Sequence, residues 1–316
     1  AWDLHRAWPE ADLRVVADPS PTLFWTIVAS VALLCLIGLI FVLYASMVSA
    51  NHTKSSSFYW FYRQLFFVGA GAVLLFLGLR VDYNRWVKLG PLVLGFAIFS
   101  LFLVLLPTSL RHEINGARRW LGPDALRFQP SELAKLGLVL WLAGLLDRRR
   151  AEMRQWKKTV APAFVVLGVI ALLILMEPDM GTTVLIASIT FVMLMVAGAR
   201  IDVMLAFGAP LAVGGLAFFL QPYHRARLLA FLDPWKHADR AGWQTLQSQV
   251  GIASGGLFGV GIGNSKAKWG FLPEAHTDFV FAIIGEEMGL IGATVVIALF
   301  FVFLVSCINA GRRAPD

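Results

Sequence analysis

Apolar residues fall along this chain in long blocks, and the blocks predict its architecture before any other feature is considered. They cover about residues 22–50, 58–79, a third stretch ending at Pro107, and then 131–146, 160–176, 181–197, 201–220 and 279–307. About 20 helical residues cross the hydrocarbon core of a bilayer, and lipid offers no partner to an unpaired backbone group. Each block therefore reads as a membrane-spanning helix. The expected fold is an all-α polytopic membrane protein of about eight transmembrane helices, a single domain over residues 1–316. The aromatic run Phe58–Tyr62 opens the second span as an interfacial belt, and residues 80–88 read as the turn into the third. Two long polar intervals remain, 108–130 and 222–278. The first 21 residues are polar and lack the short apolar core and small-residue cleavage site of a removed signal peptide.

Composition agrees with the pattern. Hydrophobic residues make up 58% and charged residues 15%, against roughly 25% charged in soluble domains. A net charge of +7 would point to nucleic acid in a soluble chain. In a membrane protein, Lys and Arg are expected to collect in cytoplasmic loops, so nucleic acid is not an expected partner. Arg148, Arg149, Arg150, Arg154, Lys157 and Lys158 cluster between spans four and five, Arg80, Arg85 and Lys88 between two and three, and Arg312 and Arg313 follow span eight. All fall on one side of an alternating topology, which places the N-terminus in the cytoplasm and both long loops outside. Cys35 and Cys307 lie in apolar runs, and no Cys/His cluster is spaced to hold a metal.

The two outer loops break the charge pattern. One carries Arg111, Arg118, Arg119 and Arg127, and the other carries Arg225, Arg227, Lys236, Arg240, Lys266 and Lys268. Guanidinium and ammonium groups can hold phosphate or pyrophosphate through charge-assisted hydrogen bonds; contact with anionic lipid headgroups is the plainer alternative. Asp233, Asp239, Glu274, His276 and Asp278 share the larger loop with Gln244, Gln247 and Ser248. Acids mixed with bases beside a membrane suit a reaction site, although such mixtures also build structural ion pairs.

Five separated blocks then carry a family resemblance: NGARRWL with FQPSELAK, EPDMGTT, FLDPW with GWQTLQSQ, SGGLFGVGIG, and FLPEAHTDFVFAIIGEEMG. In this order they resemble the shape, elongation, division and sporulation (SEDS) family of FtsW- and RodA-like proteins, over about residues 22–313, and FQPSE with LPEAHTDF leans toward the division branch. The resemblance implies a peptidoglycan glycosyltransferase that polymerises lipid II at the outer face of the bacterial cytoplasmic membrane. It also implies a class B penicillin-binding protein as partner, together with other division or elongation membrane proteins. Two departures accompany it. Family members usually have ten spans, whereas the eighth is the last here. The family's loop Asp usually stands six residues before an aromatic, whereas Asp239 stands four before Trp243.

In that chemistry the 4-hydroxyl of one substrate attacks the anomeric carbon of another, and undecaprenyl pyrophosphate leaves. A carboxylate within hydrogen-bond reach takes the hydroxyl proton as general base, cations steady the leaving group, and one inverting displacement suffices. Asp239 is the expected base. Asp233 is the runner-up, since an Asp before Pro commonly caps a turn. Arg118 and Arg119 are assigned to pyrophosphate, with solvated loop arginines as the alternative. Glu132 and Lys135 share a helix face and correspond to the family's polar pair, although Pro130-Ser131-Glu132 also makes a good helix start. Gln244, Ser248, Lys266, Lys268 and His276 are further candidate substrate-binding groups by loop position. Thr277 could cap the last span with Asp278 in its first turn. Glu286, inside that span, is expected to line a cavity. The glycines of SGGLFGVGIG read as flexible turns rather than a phosphate cradle, because no P-loop Lys follows. No cofactor is required, although acids beside a pyrophosphate could recruit a divalent cation. A lipid II flippase using Glu132, Lys135 and Glu286, or a scaffold for the penicillin-binding protein, are the competing functions.

Overall fold

The computed structural model describes residues 21–53, 58–107, 111–114, 117–123, 127–153, 155–219, 222–238, 242–272, 275 and 277–314. In chain order the described elements are α1 (Pro21–Thr53), α2 (Tyr59–Leu79), α3 (Tyr83–Leu105), β1 (Arg111–Ile114), β2 (Ala117–Leu121), α4 (Pro130–Arg148), α5 (Val160–Met176), α6 (Met180–Val196), α7 (Ile201–Phe219), α8 (Pro222–Leu232), α9 (Trp243–Gly255) and α10 (Val280–Arg313). Every apolar block of the sequence lies on one of these helices. Four of them, α1 as far as Met47, α2, α3 and α10, are long and apolar enough to cross a membrane, while α5, α6 and Ile201–Leu216 of α7 are shorter apolar helices. Their outward faces are apolar: Leu92, Leu74 and Val196 are 71%, 68% and 78% exposed. Such a surface is sustained by lipid and not by water.

The structure adds detail to the sequence reading at four places. Residues 80–88 are not a turn throughout, because α3 starts at Tyr83, where Asp82 caps it by accepting from the Asn84 N–H at 2.9 Å. The interval 108–130 carries an antiparallel pair, with Arg111 opposite Leu121 and Ile114 opposite Ala117. The interval 222–278 contains α8 and α9 where the sequence pattern predicted no span. Eleven or thirteen residues of helix are too short to leave the apolar signature of a span. The last helix begins at Val280 with Phe279 in the capping position, so Thr277 does not cap it.

The chain packs as two units, one from Leu75–His224 and the other from the described residues up to Leu74 and from Arg225 onward. In the first, α3 and α4 approach closely enough that a Cβ on Gly90 would meet the Trp141 nitrogen at 2.8 Å and one on Gly137 the Leu94 Cα at 2.8 Å. Around this crossing Leu94, Leu101, Leu138, Leu142, Leu167, Ile170, Ile186 and Leu194 form the core. In the second, α10 packs on α1 and α9, with Phe41, Ala45, Leu272, Ile283 and Val296 buried between them.

The decisive feature of the second unit is a break in α10. Gly289 has φ 66° and ψ −162°, which no continuous helix contains. In an unbroken helix the Leu290 and Ile291 N–H groups would donate to the carbonyls of Glu286 and Glu287. Instead Leu290 donates to Gly256 O at 2.9 Å and Ile291 to Leu257 O at 3.3 Å, while the freed Glu286 and Glu287 carbonyls accept from the Val260 and Gly261 N–H groups at 3.0 Å each. All four groups find partners on the loop after α9, as buried backbone requires. The exchange brings backbone against backbone: a Cβ on Gly255 would lie 2.1 Å from Gly285 O, and one on Gly259 2.1 Å from Glu287 O. Of the glycines of SGGLFGVGIG, Gly255 and Gly259 are therefore backbone contact points, while Gly256, Gly261 and Gly263 hold the positive φ of turns.

Gly259→Ala combines that collision with a φ of +82° and is expected to abolish folded protein, measured by size-exclusion of the detergent-solubilised chain. Gly168→Ala on α5, where nothing lies within 4 Å, should leave it intact.

Candidate functional site

Two polar clusters stand out, one in each unit, and each joins sequence blocks that are far apart in the chain. The first lies where α5 ends and α4 and α6 begin. Asp179 caps α6, accepting from the Thr182 N–H at 3.2 Å and from its hydroxyl at 3.0 Å. It also accepts from Gln129 Nε2 at 3.3 Å, which ties the entry of α4 to the α5–α6 turn. Arg119 reaches across from β2: its Nε donates to Glu177 O at 3.3 Å and lies 3.7 Å from Asp179 Oδ2, and its Nη2 donates to Pro178 O. The NGARRWL, FQPSELAK and EPDMGTT blocks thus meet at one corner.

Glu177 sits within this corner and is fully buried, at 0% exposure. Neither carboxyl oxygen has a hydrogen-bond partner among the described residues, and the Ser131 hydroxyl, buried at the start of α4, is in the same condition. Burial and the nearby Asp179 charge push the Glu177 carboxyl up to about 8, against a smaller downward pull from Arg119. Its neutral acid form is favoured, because an ionised carboxylate without donors is far costlier to bury.

The second cluster fixes the loop that exchanges bonds with α10. Glu286 and Glu287 are 2% and 1% exposed. The Glu286 carboxylate accepts from the backbone N–H of Lys266 at 2.9 Å and of Ala267 at 3.3 Å, and from the Ser265 hydroxyl. The Glu287 carboxylate accepts from the N–H groups of Gly263 at 2.8 Å and Ser265 at 3.2 Å and pairs with Lys268 Nζ at 3.4 Å. Lys268 also donates to Gly263 O, and only 8% of it is exposed.

The remaining predicted site residues are placed as follows. Lys135 pairs with Glu132 at 2.8 Å on the first turns of α4, which Pro130 opens. Gln244 and Ser248 are half-buried on α9, where the Ser248 hydroxyl donates to Thr245 O at 2.8 Å. Arg118 and Lys266 are exposed. Asp239 and His276 lie outside the described residues. On either side of Asp239, the Gly242 N–H donates to His237 O at 3.0 Å, so both ends of that short segment are pinned together. Asp233 braces the turn Trp235–His237 from one residue before its N-cap, Pro234: one oxygen accepts from the Lys236 N–H at 3.4 Å and the other pairs with Lys236 Nζ at 2.7 Å. The Lys236 hydrogen bond holds the Asp233 carboxyl below the usual carboxylate range, which weakens a base. The described residues contain no group of three or more His, Cys, Asp or Glu that could hold a metal ion.

Glu177, Asp179 and Gln129 were not singled out by sequence reasoning, and Glu287 was noted beside Glu286 as an acid within a span but given no site role. The signal for the first two was present: two acids in a three-residue turn on the same expected face as a loop rich in arginine. Glu287 differs from its neighbour Glu286 only by a helical step that the sequence does not orient.

The family model for FtsW, RodA and SpoVE, described as cell cycle protein, matches residues 24–316. The chain belongs to the FtsW/RodA/SpoVE family. Over 94% of its length it is 40% identical to the probable peptidoglycan glycosyltransferase FtsW of Marinobacter nauticus, covering 73% of that protein. It is 37% identical to stage V sporulation protein E of Bacillus subtilis over 94% of its length, covering 81% of that relative. Among solved structures, the Thermus thermophilus rod shape determining protein RodA superposes with a TM-score of 0.59 at 30% identity, over 89% of this chain and 72% of that one. A chain from a study of structural coordination of polymerization and crosslinking by a peptidoglycan synthase complex superposes with a TM-score of 0.67 at 31% identity, over 89% of this chain and 76% of that one. Membership of the FtsW/RodA/SpoVE family and the apolar helices together make this an integral membrane protein.

Removing Lys268 would leave the Glu287 charge buried without its cation, a change that typically costs about 3–5 kcal/mol. Lys268→Met should lower the melting temperature in detergent and expose the loop to protease. Adding Glu287→Gln should recover part of the loss, which a double-mutant cycle will measure.

Proposed function

We propose that this chain is a peptidoglycan glycosyltransferase that polymerises lipid II at the outer face of the bacterial cytoplasmic membrane. The observation that carries the reading is family membership over residues 24–316, with relatives named as probable peptidoglycan glycosyltransferases. Each unit lends support by itself. The Arg119 corner supplies a partly exposed guanidinium for a pyrophosphate, and in the other unit the loop after α9 is held by backbone bonds to α10. In this reading Asp239 takes the proton from the attacking 4-hydroxyl, the oxygen bonds the anomeric carbon with inversion, and the bond to undecaprenyl pyrophosphate breaks. Arg118 and Arg119 take up the negative charge that develops on the leaving group, and Glu132, Lys135, Gln244, Ser248, Lys266 and His276 border the substrate. No cofactor enters, and a divalent cation would act only by sharing the pyrophosphate charge. A class B penicillin-binding protein, which cross-links the strands, is the proposed partner, and the division role is favoured over elongation by the FtsW-named relatives.

Transport of lipid II is less well supported. It would draw on intramembrane charge, but Glu132 and Lys135 pair with each other and the Glu286 carboxylate is spent on loop backbone.

With the native partner supplied, Asp239→Asn is expected to reduce polymerisation of purified lipid II by roughly 100-fold or more, the usual scale of general-base loss, while Asp233→Asn is mild. The opposite order, read as glycan strands on a gel, would reassign the base to Asp233. Orientation is tested separately: in a chain with Cys35 and Cys307 replaced by Ser, Lys266→Cys should react with an impermeant thiol reagent in intact cells and Ala151→Cys should not. Both positions are exposed on the protein.

A further inference from the structure

The buried acid of the Arg119 corner has no part in the reaction as written, and its setting defines a role. Glu177 is enclosed at 0% exposure, and neither carboxyl oxygen has a partner among the described residues. The charged groups that face it are Arg119 from β2 and Asp179 from the entry of α6. The entry of α4 contributes neutral Gln129 and Ser131, and the charges further along α4, Glu132 and Lys135, neutralise each other. Asp179 already opposes Arg119 with one negative charge. A second, on Glu177, would turn the corner net negative and repel any anion that approaches the guanidinium.

We propose that Glu177 is a charge-setting residue for anion binding: held as a neutral acid, it leaves Arg119 opposed by Asp179 alone, so that the corner accepts the pyrophosphate diester of a lipid-linked substrate. The role deepens the glycosyltransferase reading and rests on it for the identity of the substrate. Glu177 touches no substrate; it acts through the charge balance around Arg119 and is a positioning residue. The sign of its effect follows from linkage. Anion binding favours the protonated form, so affinity is full while the acid holds its proton and declines as pH rises through about 8. The same group makes the fold less stable with rising pH. The folded state keeps a proton that the unfolded chain releases near 4.5, so stability falls between that value and about 8 and then levels off.

The test uses the full-length protein with its partner and fluorescent lipid II, whose pyrophosphate diester does not titrate in the range examined. Wild-type affinity should fall by about tenfold from about pH 7 to about pH 9, the change expected for one group titrating at about 8. Glu177→Gln, which keeps the shape and removes the titration, should hold its affinity across the range and melt at a higher temperature than wild type at pH 8. An unchanged pH profile in Glu177→Gln overturns the proposal and leaves the glycosyltransferase reading in place. The expected pH step without any glycan product from lipid II keeps the charge-setting role and sinks the enzyme reading. If phosphatidylglycerol vesicles show the same Glu177-dependent step, the corner is a lipid-headgroup site and the substrate assignment is wrong. Absence of lipid II binding at every pH overturns the proposal as well.

Discussion

The structure of the second unit depends on one broken helix. Buried backbone must be paired, and a helix interrupted inside a membrane protein leaves two carbonyls and two N–H groups to be satisfied by something other than water. Here the loop after α9 supplies all four partners, and the side chains of Glu286 and Glu287, three and two residues before the break, gather four further N–H groups of the same loop. Main chain and side chain of one short helical segment thus fix a single stretch of loop. Glycine is required at 255, 259 and 289, where a Cβ would lie 2.1 to 2.4 Å from the facing backbone.

That construction changes the meaning of acids inside a span. An acid in an apolar helix is usually read as lining a pathway, yet Glu286 spends its charge on backbone donors, and the Glu287–Lys268 pair is almost wholly enclosed. Such a pair is poor evidence of net stabilisation, since desolvation offsets most of the attraction. What it supplies is a defined conformation for the loop after α9.

The corner in the other unit is built on the opposite logic. Arg119 is held by carbonyls and one carboxylate and remains partly exposed, and beside it an acid is buried with no partner among the described residues. Structural networks satisfy their members, whereas an orphaned buried polar group calls for a functional explanation.

The sequence alone determined the helical class and the position of every apolar block, because lipid enforces length and apolarity residue by residue and leaves little to tertiary choice. It also determined the family, through five blocks whose order survives any loop variation. It did not show that β1 and β2 pair, that α8 and α9 occupy the long loop, or where the blocks meet, since short elements leave no periodic signal in a window that long. The helix break at Gly289 was invisible because a lone glycine inside an apolar run resembles any packing glycine until its partners are seen. Glu177, Asp179 and Arg119 were each readable as polar loop residues. Only the packing of α4, α5 and α6 decided that two of them would bond across the corner and that the third would be buried without a partner, which is the physical source of its displaced proton affinity.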